Sequence, residues 1–174
     1  MVNNIDSPNI LLYNSIMTDT KPWFEEIAMP ALLRHARSTY GVAMRRALEQ
    51  AGYEDIPKNG MYVIGGLALG VGGVPLGQLV KELGVSKQAA GQLVDMLVLR
   101  GYIDRTVDAA DRRKLTVTLT ERGRAAAVIQ RDVVKKIDAE LSARVGKEET
   151  LRARRVLAEL IGMGHQEKEQ DSEH

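Results

Sequence analysis

No cysteine occurs in the 174 residues. That absence removes disulfides, thiol redox sensing, cysteine nucleophiles and thiolate metal sites together. Histidine is nearly as scarce, and His35, His165 and His174 are too few and too scattered to suggest a structural zinc site. No Ser/His/Asp arrangement stands out. The acid pairs Glu25–Glu26 and Glu148–Glu149 fall at expected helix starts, where they complement the helix dipole. The chain is therefore not read as an enzyme, and no cofactor or metal is expected. Aromatic residues make up 4% of the sequence, so the core must be built from Leu, Val, Ile, Ala and Met. Long apolar runs are missing too. The opening MVNNIDSPNILLYNSIM has no basic n-region, and its apolar piece ILLY is far too short to cross a bilayer. A cytoplasmic protein without membrane contact is the expectation.

Charge of one sign is also lacking, since the formal net charge is +1. Its distribution says more. Between Lys81 and Arg124 stand nine basic and six acidic residues, an excess of three that leaves about minus two for the rest. What is present is a length of about one domain, with 44% hydrophobic and 27% charged residues, ordinary for a folded chain.

Residues 1–22 have no sustained periodicity and include Pro8 and Pro22, which reads as an arm or a short extra helix. From Trp23 to Gly52 apolar residues recur at threes and fours, among them Ile27, Leu32, Leu33, Tyr40, Ala47 and Leu48, with Pro30 starting or kinking the helix. YEDIPKNG is a turn. The following glycine-rich stretch, residues 60–73, does not give G-x-G-x-x-G followed by an amphipathic helix, and it has no G-K-[ST]. It reads as a helix packed closely against a neighbour rather than as a phosphate cradle.

VPLGQLVKELGVSKQAAGQLVDMLVLRGYI is the most informative stretch. Pro75 suits a first helical position. Leu76, Leu79, Val80 and Leu83 share one face of a short helix that Gly84 ends, and Ser86 is a good N-cap for a second helix. In that second helix Ala90, Leu93, Val94 and Leu97 form the stripe to bury, and Gly101 stops it. Two short helices about a tight turn are a helix-turn-helix. Next, Ile103, Arg105 and Val107 share a strand face, as do Leu115, Val117 and Leu119, around a loop at Asp108–Arg113. Thr120 then caps a long helix to about Val145, where Gly146 breaks it. A last helix from about Glu148 to Ile161 should bury Leu151, Val156, Leu157, Leu160 and Ile161, leaving 163–174 as a polar tail.

A helix-turn-helix followed at once by a hairpin is a winged helix-turn-helix. The run from Pro75 to Gly123 resembles the MarR family of bacterial transcriptional regulators. It carries D-x-R-x-x-x-V-x-L-T-x-x-G through Asp111, Arg113, Val117, Leu119, Thr120 and Gly123. The resemblance extends over about residues 25–162. It implies a mainly α fold with a small antiparallel β-hairpin wing. The dimerisation helices would lie at residues 23–57 and 124–162, and the DNA-binding region at 58–123.

On the second helix, removing the buried stripe leaves Lys87, Gln88, Gly91, Gln92 and Asp95 outward. Lys87 and Gln88 can meet phosphate or a base edge, and Gln88 and Gln92 suit adenine. Ser86 is chiefly a cap. Gly91 either lets backbone approach DNA or packs against a neighbouring helix. A stiff loop with guanidinium groups suits a narrow minor groove. By resemblance Arg113 is the groove-reading arginine, with Arg112 able to take or share the role and Asp111 fixing the tip. The apolar stripes of the terminal helices exceed what a winged domain needs. They suit a homodimer on a pseudo-palindromic double-stranded operator about one helical turn apart. The resemblance further implies repression, with release by a small aromatic or anionic ligand, for which His35, Tyr40, Arg45 and Tyr62 are candidates. The rival is a winged domain used as a protein-interaction module, which should expose apolar rather than polar side chains on its second helix.

Overall fold

The computed structural model describes residues 22–70, 73–83, 86–107 and 115–172. The arm or short helix expected over the first residues lies almost wholly outside them. By internal contacts the chain divides within its first long helix, into one unit up to Val42 and another from Ala43. In the first unit a 3-10 turn at Trp23–Glu25 precedes helix α1, Met29–Gln50. Pro30 stands in the first turn of α1, where the missing N–H is no loss, so it starts the helix rather than kinking it.

In the second unit α2, Gly60–Leu69, is followed by strand β1, Val74–Pro75, and helices α3, Leu76–Leu83, and α4, Lys87–Leu99. Strands β2, Ile103–Val107, and β3, Leu115–Leu119, come next, then α5, Glu121–Val145, and α6, Lys147–Ser172. The sheet has the order β1-β3-β2 and is antiparallel throughout. Apolar residues surround α2 on most sides because it is central: Met61, Val63, Ile64 and Leu67 are buried, and the helix packs on α5, β3 and α4.

Two helix ends set the geometry of the unit. Both α1 and α4 finish in a Schellman cap, with Gly52 (φ 82°) and Gly101 (φ 70°) in the left-handed region. The closing bonds run from Tyr53 N–H to the Leu48 carbonyl and from Tyr102 N–H to the Leu97 carbonyl, each 2.9 Å. The residues just past the caps are tyrosines whose ring centroids lie 6.3 Å apart. Arg122 of α5 lies over both rings, 4.5 Å from the centroid of Tyr102 and 6.0 Å from that of Tyr53. Asp55 joins them, accepting from Tyr102 Oη and pairing with Arg122 at 3.0 Å. Arg100 donates to the Asp55 carbonyl. One cluster thus ties the α1–α2 connector to the end of α4 and the start of α5.

The second half of the wing motif acts at the same place. Thr120 Oγ1 accepts from Gly123 N–H at 3.0 Å and donates to the Gly101 carbonyl at 2.6 Å, capping α5 while holding the end of α4. A Cβ at Gly123 would overlap the Tyr102 carbonyl oxygen, so glycine is required for this approach.

Three expectations are corrected. Pro75 belongs to β1, paired with Thr116, rather than to the first turn of α3. The two-residue strand tolerates it because an edge position asks little of its absent N–H. The last helix continues to Ser172, well past Ile161, so residues 163–172 are helical rather than a frayed tail. Glu, Gln and Lys in that segment are good helix formers even without an apolar face. Finally, Leu151, Val156, Leu157, Leu160 and Ile161 are exposed within the chain, not buried.

Burial pushes the Tyr102 phenol up from 10.0 to about 12, and the hydrogen bond to Asp55 adds to the shift. The unfolded phenol therefore ionises first, so its contribution to stability is intact below about pH 10 and lost as pH rises toward 12. Tyr102→Phe is expected to cost about 1 kcal/mol near neutrality. The stability gap between wild type and variant should then shrink across that alkaline window. Urea unfolding of the two proteins at a series of pH values measures it, and a pH-independent gap counts against the phenol's role.

Candidate nucleic-acid interface

Helix α4 separates its faces cleanly. Ala90, Leu93, Val94 and Leu97 are buried, as their spacing requires, and Ser86, Lys87, Gln88, Gln92 and Asp95 are exposed. Ser86 is the N-cap, its Oγ accepting from Ala89 N–H at 3.2 Å. The positive end of the helix dipole therefore sits beside Lys87 and Gln88, a combination that favours phosphate. Gly91 is half-buried, and a Cβ built there meets nothing within 4 Å. Close packing against a neighbouring helix does not explain that glycine. Further along, the outward face turns apolar, with Met96 38% and Leu99 86% exposed.

The hairpin keeps the expected strand faces and pairs them antiparallel. Ile103 faces Leu119, Arg105 faces Val117 and Val107 faces Leu115. Ile103 and Val117 are fully buried and anchor the wing on the core. Asp111, Arg112 and Arg113 lie in the loop 108–114, outside the described residues.

Sequence reasoning missed one feature here. Arg105 pairs with Asp95, joining the first wing strand to the middle of α4. Both groups are at the surface, where an ion pair contributes roughly 0.2–1 kcal/mol. Its larger effect is on the field, because Asp95 no longer stands as a bare anion beside the outward face. A signal existed in two opposite charges on consecutive elements, but only the turn at Gly101 brings them together.

A cavity of about 710 Å³ lies between α2, β3 and α5, with Met44 of α1 in its wall. Of the residues expected at a ligand pocket, Tyr62 lines it. Arg45 is instead turned to the Ile56 carbonyl, 2.6 Å from its Nη1. His35 and Tyr40 belong to the first unit, where His35 is exposed and its carbonyl accepts from Thr39 Oγ1 at 3.3 Å.

Residues 61–114 match the model of the MarR family. No curated protein sequence matches the chain. Among solved structures, Streptococcus pneumoniae FabT in complex with DNA is 22% identical with a TM-score of 0.68, the match covering 79% of this chain and 96% of that one. S. aureus MepR in its DNA-binding conformation is 20% identical with a TM-score of 0.66, over 79% and 98% of the two chains. Wild-type MarR from E. coli, in its apo form, is 21% identical with a TM-score of 0.59, over 77% and 97%. At these identities the likeness is one of fold. Together with the sequence match over α2, the helix-turn-helix and the first wing strand, it makes the chain's winged helix-turn-helix similar to that of the MarR family.

Proposed function

We propose that the protein is a sequence-specific DNA-binding transcriptional regulator that acts as a twofold dimer. The observation that carries this reading is the outward face of α4, where a capped helix N-terminus presents Ser86, Lys87, Gln88, Gly91 and Gln92 above a sealed apolar stripe. Such a face fits the major groove, with Lys87 and the Ser86 end toward phosphate and Gln88 and Gln92 toward base edges. The wing strands then carry Arg112 and Arg113 toward the adjoining minor groove, with Asp111 steadying the tip. FabT and MepR, whose fold the chain shares, have been solved with DNA or in a DNA-binding conformation, which supports the same reading.

The dimer rests on a separate observation. Leu151, Val156, Leu157, Leu160, Ile161 and Met163 of α6, with Leu141 and Val145 of α5, are each between 39% and 62% exposed. A row of large apolar side chains on two consecutive helices is costly to leave in water, and a second copy of the same helices covers it symmetrically. Repression through operator occupancy, relieved by a small molecule, is the regulatory mode we propose. The cavity supports it because Thr118 and Leu119 of the wing strand form part of its wall. Among the described residues no helix is long and apolar enough to cross a membrane, and a cytoplasmic setting follows from the proposed DNA partner. A protein-interaction module is the second reading, favoured by the exposure of Met96 and Leu99.

Selection from random duplex DNA at stated salt tests operator binding and the spacing of half-sites together. On the selected operator, Arg113→Ala is expected to cost roughly 1–3 kcal/mol, with Gln88→Ala relaxing base preference more than nonspecific affinity. Enrichment of no sequence by the folded protein sinks this reading in favour of the interaction module. Replacing Leu157 and Leu160 together by Glu is expected to yield a folded monomer with weakened operator binding. Sedimentation equilibrium at micromolar concentration reads this directly, and a wild-type monomer there removes the dimer.

A further inference from the structure

Arg122 makes more contacts than stability accounts for. Its Nη2 pairs with Asp55 Oδ1 at 3.0 Å and its Nη1 donates to the Arg100 carbonyl at 3.1 Å. The same guanidinium lies over the rings of Tyr102 and Tyr53. One side chain of the first turn of α5 therefore touches both the α1–α2 connector and the end of α4. The Arg122 and Asp55 side chains are 44% and 38% exposed, and an ion pair that open to water adds little to stability. A planar guanidinium with donors along two edges is better suited to fixing an angle.

The other polar contacts at this junction hold a point and leave the angle to something else. Thr120 bonds the Gly101 and Tyr102 carbonyls, and Gly123 lies against the Tyr102 carbonyl, so all of them gather within residues 101–102 and 120–123. They act as a pivot between α4 and α5. Helix α2 also packs along α5, but apolar contact is non-directional and that interface contains the cavity. Arg122 reaches away from the pivot to Asp55, and this second point is itself anchored. Asp55 accepts from Tyr102 and Arg100, and the carbonyl of buried Ile56 beside it receives Arg45 Nη1 of α1 at 2.6 Å.

The angle matters at a distance. Helix α5 has 25 residues, a length of about 37 Å, and its far end carries Leu141 and Val145 of the proposed dimer row. A tilt of about 5° at the root displaces that end by roughly 3 Å, close to one base-pair step of about 3.4 Å. We propose that Arg122 is a positioning residue: by bridging Asp55 and the Arg100 carbonyl it sets the angle between α4 and α5, and so the separation of the two α4 helices in the dimer. In this role Arg122 contacts no duplex. The inference rests on the dimeric DNA-binding reading above.

The test uses the full chain, in which the lack of cysteine lets a label be placed at one position only. Leu99→Cys, on the exposed face of α4, takes a nitroxide, and double electron–electron resonance then reads the distance between the two α4 helices without DNA. The labelled parent should give one narrow distribution. Adding Arg122→Met should about double its width, with Arg122→Lys in between, because an ammonium keeps the pair with Asp55 but loses the simultaneous bond to Arg100. Ile64→Val, a core truncation in α2, lowers stability outside the junction and should leave the width at the parent value. On duplexes carrying the selected half-sites, Arg122→Met should reduce the preference for the selected spacing over spacings one base pair longer or shorter by about threefold, with affinity for an isolated half-site unchanged.

Either an unchanged width or an unchanged spacing preference in Arg122→Met overturns the proposal. Equal broadening in Ile64→Val does so too, since the effect would then be one of stability, as does an equal loss on the isolated half-site, which would make Arg122 a DNA contact. A labelled parent that shows no distance is a monomer, and removes the dimer together with this role. A parent that dimerises but selects no duplex removes the DNA reading alone, and the distance distributions still decide whether Arg122 sets the separation.

Discussion

Tyr102 is where the winged helix-turn-helix is held together. Its amide closes the cap of α4, its carbonyl receives Thr120 N–H at 3.1 Å, and its phenol reaches Asp55 beneath the Arg122 guanidinium. A first turn of α5 with a side chain at position 123 could not come near enough for this. The end of α4, the root of the wing and the start of α5 are therefore one junction. Tyr53 brings the end of α1 into it through a second cap of the same kind. What faces outward from α4 and the wing is oriented by this buried knot.

How much of this the sequence reveals depends on how local the cause is. Ser86, Thr120, Gly101 and Gly146 could be read directly, because a cap is decided within four or five residues. The stripe Ala90–Leu97 and the pairing of β2 with β3 were equally legible, since alternation and helical spacing fix which face is buried. The wing motif has a half proposed to meet DNA, at Asp111–Arg113, and an architectural half at Thr120 and Gly123. Only the second half falls on described residues. The features that escaped are those made by distant parts of the chain. Nothing near Asp55 announces its partners 47 and 67 residues away. The pairing of Val74 and Pro75 with β3 is too short to leave a pattern. The glycines of α2 are helical, as their surroundings in the sequence imply, yet packing accounts for them unevenly. Gly60 is hemmed in by Leu97 and Pro57 at 3.0 Å, whereas Gly66 opens on empty space.

Charge follows the same division. The small excess of basic residues between Lys81 and Arg124 is unevenly placed, because one acid there is paired with one base and a further base is paired with an acid outside the region. Asp95 is held by Arg105, and Asp55, from outside the region, takes up Arg122. Lys87 keeps its exposed place at the positive end of α4, so sign and shape coincide where they matter for a polyanion.

The shortest strand has the widest mechanical consequence. Val74 and Pro75 stitch the approach to α3 onto β3, while β3 is laced to β2 and β2 springs from the end of α4. The path from α3 to α4 to β2 to β3 and back through β1 to α3 is a closed ring. A ring of this kind resists having its second helix and wing pried apart, because either movement must break strand pairing at β1 or β2. In the proposed dimer, strain applied to such a ring would leave each proposed recognition surface intact and change instead the separation and tilt between the two, a register error against a duplex of fixed pitch.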